Sequence, residues 1–144
     1  MNVFDILGPV MIGPSSSHTA GAARIGRITL ALLGAPAVKA DIFLHGSFAK
    51  TYKGHGTDKA LIAGIMGMAT DDSRIRRAPE LAREQGLEVS ITTGDIDGAH
   101  PNTARVTLTD VTGNTVSLLG SSIGGGNILV LSLIHISEPT RLAL

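Results

Sequence analysis

The chain has 144 residues, 43% of them hydrophobic and 17% charged, which suits one compact domain with a real core and excludes a disordered chain. Lys plus Arg and Asp plus Glu number 12 each and aromatic residues make up 3%, so no net field draws phosphate backbones and little is available to stack on bases. There is no cysteine, which removes disulfides and any thiolate-held zinc or iron–sulfur centre from this chain.

The start, Met1-Asn2-Val3-Phe4-Asp5, has no basic segment followed by an apolar core, so secretion is not indicated. Gly8 to Ser17 reads as a loop rich in Gly, Pro and Ser. A helix over Thr19 to Leu33 follows, with Ala23, Ile28, Ala31 and Leu32 at helical spacing and Gly34 beyond its end. Val38 to Leu44 is a strand, and His45 to Gly56 a polar loop. Thr57-Asp58 opens a second helix to about Ala69, in which Gly64 and Gly67 point to close packing against another backbone. Pro79 to Gln85 forms a third helix stopped by Gly86. Leu87 to Thr92, Ala104 to Asp110 and Thr115 to Leu119 are strands, the last two joined by a Gly113-Asn114 turn. The sum is an α+β domain with helices packed on one face of a mostly antiparallel sheet. The apolar stretch Ile128 to Ile136 is broken by Ser132 and His135 and falls short of the ~20 residues of a membrane span, so no membrane partner is expected and the cytoplasm is the expected location.

Four segments can carry chemistry. Gly13-Pro14-Ser15-Ser16-Ser17-His18-Thr19 sets three hydroxyls and an imidazole at a helix mouth, where free N–H groups and the helix dipole favour a carboxylate or phosphate. A single serine there is ordinarily a cap; three followed by histidine are a stronger signal. Leu44-His45-Gly46-Ser47 and Gly54-His55-Gly56-Thr57-Asp58 place two histidines in a glycine-bounded loop. A helix start holds His55 neutral and fit for proton transfer, while loop histidines bonded to backbone are the equal alternative. Gly98-Ala99-His100-Pro101-Asn102 offers His100 and Asn102 to a polar ligand, although a plain turn is the simpler account. Gly120 to Gly124 has the G-x-S-x-G pattern of a hydrolase elbow, but a glycine run and an apolar strand follow Ser122 in place of a helix, no Asp comes after it, and the only later histidine is His135 in the tail. What remains there is a turn, Gly124, Gly125, Gly126 and Asn127, able to approach a ligand or a second subunit with its backbone. His18, His45, His55 and His100 show no metal-site spacing, Arg74, Arg76 and Arg77 beside Asp71-Asp72 read as a solvated face, and none of Lys39, Lys50, Lys53 and Lys59 sits in a pyridoxal-phosphate context.

Taken in register, Phe4 to Pro9, Met11 to Thr19, Gly54 to Asp58, His100-Pro101-Asn102 and Gly124 to Ile128 closely resemble the β chain of iron–sulfur-dependent L-serine dehydratases, from about Asn2 to Val130. The resemblance implies a fold like the allosteric substrate-binding domain of serine dehydratases and some phosphoglycerate dehydrogenases. It also implies a separate α chain whose cysteines hold a [4Fe–4S] cluster, and conversion of L-serine to pyruvate and ammonia by the two chains together. On that basis Ser16, Ser17, His18 and His55 are expected to complete the active site. His100 and Asn102 are expected to hold a regulatory serine at a β–β contact. The alternative is a stand-alone amino-acid-binding regulatory domain. β chains of this type usually continue from the glycine turn into a strand and a small ACT domain, whereas Leu131 to Leu144 resembles neither. The domain is therefore expected over 1–130, with 131–144 an unrelated tail that is given no role.

Overall fold

The computed structural model describes residues 16–69 and 72–136, with the backbone alone at 16–18 and 51–55. The elements are α1 (Ser16–Leu33), β1 (Lys39–His45), α2 (Gly46–His55), α3 (Thr57–Ile65), a 3₁₀ turn (Ser73–Arg77), α4 (Ala78–Glu84), β2 (Glu88–Gly94), β3 (Asn102–Thr109), β4 (Thr115–Gly124) and β5 (Asn127–Ile136). They build an α+β domain on a five-stranded sheet of order β2-β1-β3-β4-β5. β1 pairs parallel with β2, across the helical connection that parallel neighbours require, and the other three pairings are antiparallel.

Alternation sorts the sheet into two faces. Ala40, Ile42 and Leu44 of β1 lie opposite Leu108, Val106 and Ala104 of β3, and these lie opposite Val116, Leu118 and Gly120 of β4. All the side chains in this set are at most 1% exposed. α1 lies over β3 and β4 and packs on α3, which in turn meets α2 and α4. The α1–α3 crossing is close because both helices present glycine. A Cβ at Gly26 would lie 2.6 Å from the Leu61 carbonyl, and one at Gly64 would collide with the Ala23 carbonyl. The opposite face is polar. Thr107–Ser117 and Thr109–Thr115 hydroxyl pairs, 2.9 and 3.3 Å, bridge β3 and β4, and the Arg105 guanidinium sits 5.8 Å from the Phe43 ring centre.

Several elements differ from the sequence expectation. The segment His45 to Gly56 is not a loop: β1 runs through His45 and α2 follows at once. Its composition is poor for a helix, and tertiary contacts supply what propensity does not. Phe48 is fully buried, and the Ser47 and Phe48 N–H groups donate to the Pro101 carbonyl at 2.7 and 3.4 Å. α1 begins three residues earlier than expected, so Ser16, Ser17 and His18 belong to its first turn. α3 ends at Ile65, so Gly67, at φ 87°, is a residue past the helix; Gly64 alone meets a backbone. The Gly113-Asn114 turn is part of a longer loop organised by Asp110. Its carboxylate accepts from the Thr112 hydroxyl (2.7 Å), the Thr112 N–H (2.9 Å) and the Asn114 N–H (3.1 Å). Those bonds, the hydroxyl's first, hold the Asp110 carboxyl below its ordinary pKa. β4 extends to Gly124 and β5 runs on through Ile136, into the segment expected to be an unrelated tail. Among the described residues no helix is long and apolar enough to cross a membrane.

Candidate functional site

Ser16, Ser17 and His18 lie in the first turn of α1, and His55 is the last residue of α2, one before the corner into α3; their side chains fall outside the described residues. The elements that carry them are neighbours: α1 packs on α3 and touches α2, and α2 touches α3. Gly56 makes the corner at φ 75° and stands at the N-cap of α3, where no side chain caps the helix. Two polar atoms are stranded at that end. Thr57 is 0% exposed and its Oγ1 has no hydrogen-bond partner among the described residues; Asp58 has a buried Oδ1 in the same condition. Neither was singled out as a site residue on sequence, although both belong to the Gly54–Asp58 segment. The readable signal was a Thr-Asp pair immediately after a glycine-bounded histidine. Buried acceptors without partners cost ~1–3 kcal/mol each, which a fold tolerates most readily where a ligand or partner supplies the missing bond. Asp58 also lines a groove of about 490 Å³ between α3, α4 and β2 that holds Arg83 and Glu88.

A second polar cluster forms where β1 ends and β3 begins. His100 and Asn102 are brought together: the His100 Nδ1 accepts from the Asn102 N–H at 3.0 Å. His100 is exposed, while the Asn102 Oδ1 is buried and has no hydrogen-bond partner among the described residues. Thr103, fully buried, donates to the His100 carbonyl at 2.6 Å and shares a 2.7 Å hydroxyl contact with Ser121. His45, 8% exposed, is bonded through both ring nitrogens to backbone, the bland alternative for this histidine.

Gly124, Gly125 and Gly126 form the β4–β5 turn with φ of 107°, 62° and 81°, values only glycine adopts at low cost. Nothing described in the chain lies within 4 Å of a Cβ built at Gly124 or Gly125, so that face of the turn is open. Asn127 pairs with Gly124 across it. Ser122 is fully buried near the end of β4 against Gly21, the opposite of an exposed nucleophile elbow. Arg24 was not foreseen either. It is 3% exposed on α1, and burial lowers its pKa. At the surface, Arg74 grips Asp72 at 2.7 Å and holds its carboxyl at about 2. Among the described residues no cluster of three or more His, Asp or Glu could hold a metal ion.

The model of the serine dehydratase beta chain family matches residues 2–95. The chain belongs to that family. The match contains the serine-rich segment and Gly54–Asp58, and it stops before His100. The chain is similar to the "Probable L-serine dehydratase, beta chain" of Bacillus subtilis (strain 168), with 50% identity over 132 residues, 92% of this chain and 60% of that one. It is 42% identical to the "L-serine dehydratase, beta chain" of Peptoniphilus asaccharolyticus over 141 residues, 97% of this chain and 64% of that one. It is also 32% identical to an "L-serine dehydratase" of Mycobacterium bovis (strain ATCC BAA-935 / AF2122/97), where it corresponds to 33% of the protein. The chain thus spans about three fifths of the beta chains it matches and a third of the longer relative.

Proposed function

We propose that this chain is the β subunit of a cytoplasmic two-chain L-serine dehydratase and completes an active site shared with an α chain. The observation that carries the reading is the pair of stranded acceptors, Thr57 Oγ1 and Asp58 Oδ1, at the uncapped start of α3 within the family-matched region. The reaction removes the α-proton and the β-hydroxyl of L-serine as water, and the resulting aminoacrylate takes up water to release ammonia and pyruvate. Iron–sulfur ligation does not fit this chain, which lacks cysteine, so the [4Fe–4S] cluster belongs to the partner. When bound there, it supplies Lewis acidity at the substrate hydroxyl.

The residues of this chain have the remaining work. The first turn of α1, with Ser16, Ser17 and His18, anchors the substrate carboxylate through N–H and hydroxyl donors. His55 takes the α-proton, and the Thr57 hydroxyl and Asp58 carboxylate accept hydrogen bonds from the substrate ammonium. His100 and Asn102 form a separate serine site at a β–β contact, in keeping with the unpartnered Asn102 Oδ1. The Gly124–Asn127 turn is a backbone surface for a ligand or subunit.

The test is anaerobic pyruvate formation from L-serine by this chain, by its iron–sulfur α partner, and by the two mixed. Activity confined to the mixture, lowered by His55→Ala without loss of the complex, is the expected result. No gain on mixing, with the chain shown to be folded, would replace this reading by a stand-alone regulatory serine-binding domain.

A further inference from the structure

The loop from β2 to β3, residues 95–101, carries His100 and leads into Asn102, and besides its bonds to Asn102 and Thr103 of β3 it is tied to the end of β1. The His45 Nδ1 accepts from the Ile96 N–H at 2.8 Å, and its Nε2 lies 3.3 Å from the Ala99 carbonyl. An acceptor at Nδ1 and a donor toward a carbonyl at Nε2 define one neutral tautomer, so the ring reads both polarities of the loop backbone at once. Two further ties act beside it. The Pro101 carbonyl accepts the Ser47 N–H at 2.7 Å, and Gly46 bridges Asn102. Gly46, at φ 62°, is needed there because a Cβ would come within 2.6 Å of the Pro101 carbonyl.

We propose that His45 is a positioning residue: its ring clasps the 95–101 loop and thereby sets the geometry of the His100–Asn102 ligand site. The ligand part of this inference rests on the serine-site reading given above. With the clasp intact, the Asn102 N–H stays on the His100 Nδ1 and the stranded Asn102 Oδ1 keeps one direction, ready for a single donor such as an ammonium. Without it, the ties at Pro101, Asn102 and the His100 carbonyl remain, but Ile96 and Ala99 lose their link to β1, and the His100–Asn102 pair loses part of its preorganisation.

The experiment uses the labelled full chain, with amide exchange and an L-serine titration both read by NMR. In His45→Ala, exchange at Ile96 and Asn102 is expected to rise about tenfold or more and serine binding to weaken about 5- to 10-fold, the consequence of one or two lost hydrogen bonds. His45→Asn keeps an acceptor near the Nδ1 position and is expected to restore Ile96 protection and bring serine binding back to within about 2-fold, as a merely space-filling role would not. Should His45→Ala not fold, His45→Asn against His45→Gln decides, since the glutamine amide reaches the Nε2 position and leaves the Ile96 N–H unpaired. Unchanged protection of Ile96 in His45→Ala, or equal protection in the Asn and Gln variants, overturns the clasp. His100→Ala is the separate arm: undiminished serine binding there overturns the serine-site reading, while loss of Ile96 protection in His45→Ala still upholds the clasp.

Discussion

β4 and β5 are adjacent ten-residue strands that both carry aliphatic side chains, four in β4 and seven in β5, in opposite surroundings. Val116 and Leu118 of β4 are at most 1% exposed, whereas Leu129, Val130, Leu131, Leu133, Ile134 and Ile136 of β5 are all 45–54% exposed. The difference lies in what covers them. α1 packs along β3 and β4 and barely reaches β5, so the same residue types make a core in one strand and an apolar edge in the next. Strand formation follows side-chain type; burial follows the helix, and the helix is held by the glycine crossing with α3.

The contrast breaks most severely at that crossing. Gly64→Ala puts a methyl group into the Ala23 carbonyl and forces the helices apart, so the core over β3 and β4 loosens. The expected loss is about 3 kcal/mol or more, at the upper end for overpacked sites, seen as a lower urea midpoint. An unfolding free energy within ~0.5 kcal/mol of the parent would show that α1 is not held on the sheet by this contact. Thr57→Val has a smaller effect on the fold, of opposite sign. Its hydroxyl is buried and unpartnered, so an isosteric methyl should leave stability unchanged or raise it by about 1 kcal/mol. Pyruvate formation with the α partner should nevertheless fall about tenfold or more if the hydroxyl bonds the substrate, since ~1.4 kcal/mol is lost with each factor of ten. A destabilised variant would mean that Thr57 has a partner inside the fold and is not kept for a ligand.

The sequence was most readable where periodicity and glycine agree. α1, β1, α4 and the strands β2 to β4 lie within a few residues of where alternation and helical spacing put them, and Gly34 and Gly86 stop helices at positive φ. α2 was not readable, because its helix depends on Phe48 burial and on the Pro101 carbonyl, contacts that span over fifty residues of chain. The Asp110 loop was misread because an Asp side chain can organise its own backbone in place of a two-residue turn. For the site, the segments were visible but the roles within them were not. His45 and His55 look alike in sequence, yet the ring of the first is spent on backbone bonds. Thr57 and Asp58 draw interest only once their oxygens are seen to lack partners.

The smallest expected effect is at the far edge of β5. Leu133 lies opposite Leu118 but is 49% exposed, so Leu133→Ala removes about half a side chain's burial and should cost ~1 kcal/mol or less. Removing residues 131–144 entirely exchanges one sheet edge for another. Ile134 and Ile136 pair only with Ser117 and Thr115 on the polar face, while Val116 and Leu118 keep the cover of α1 on the other. The shortened chain should therefore unfold within a few degrees of the parent and associate less with rising concentration, because four of the six exposed aliphatics of the edge are gone. A cooperative fold lost on this truncation would place residues past Val130 inside the domain; a fold retained would put the functional boundary where the glycine turn and the first residues of β5 end.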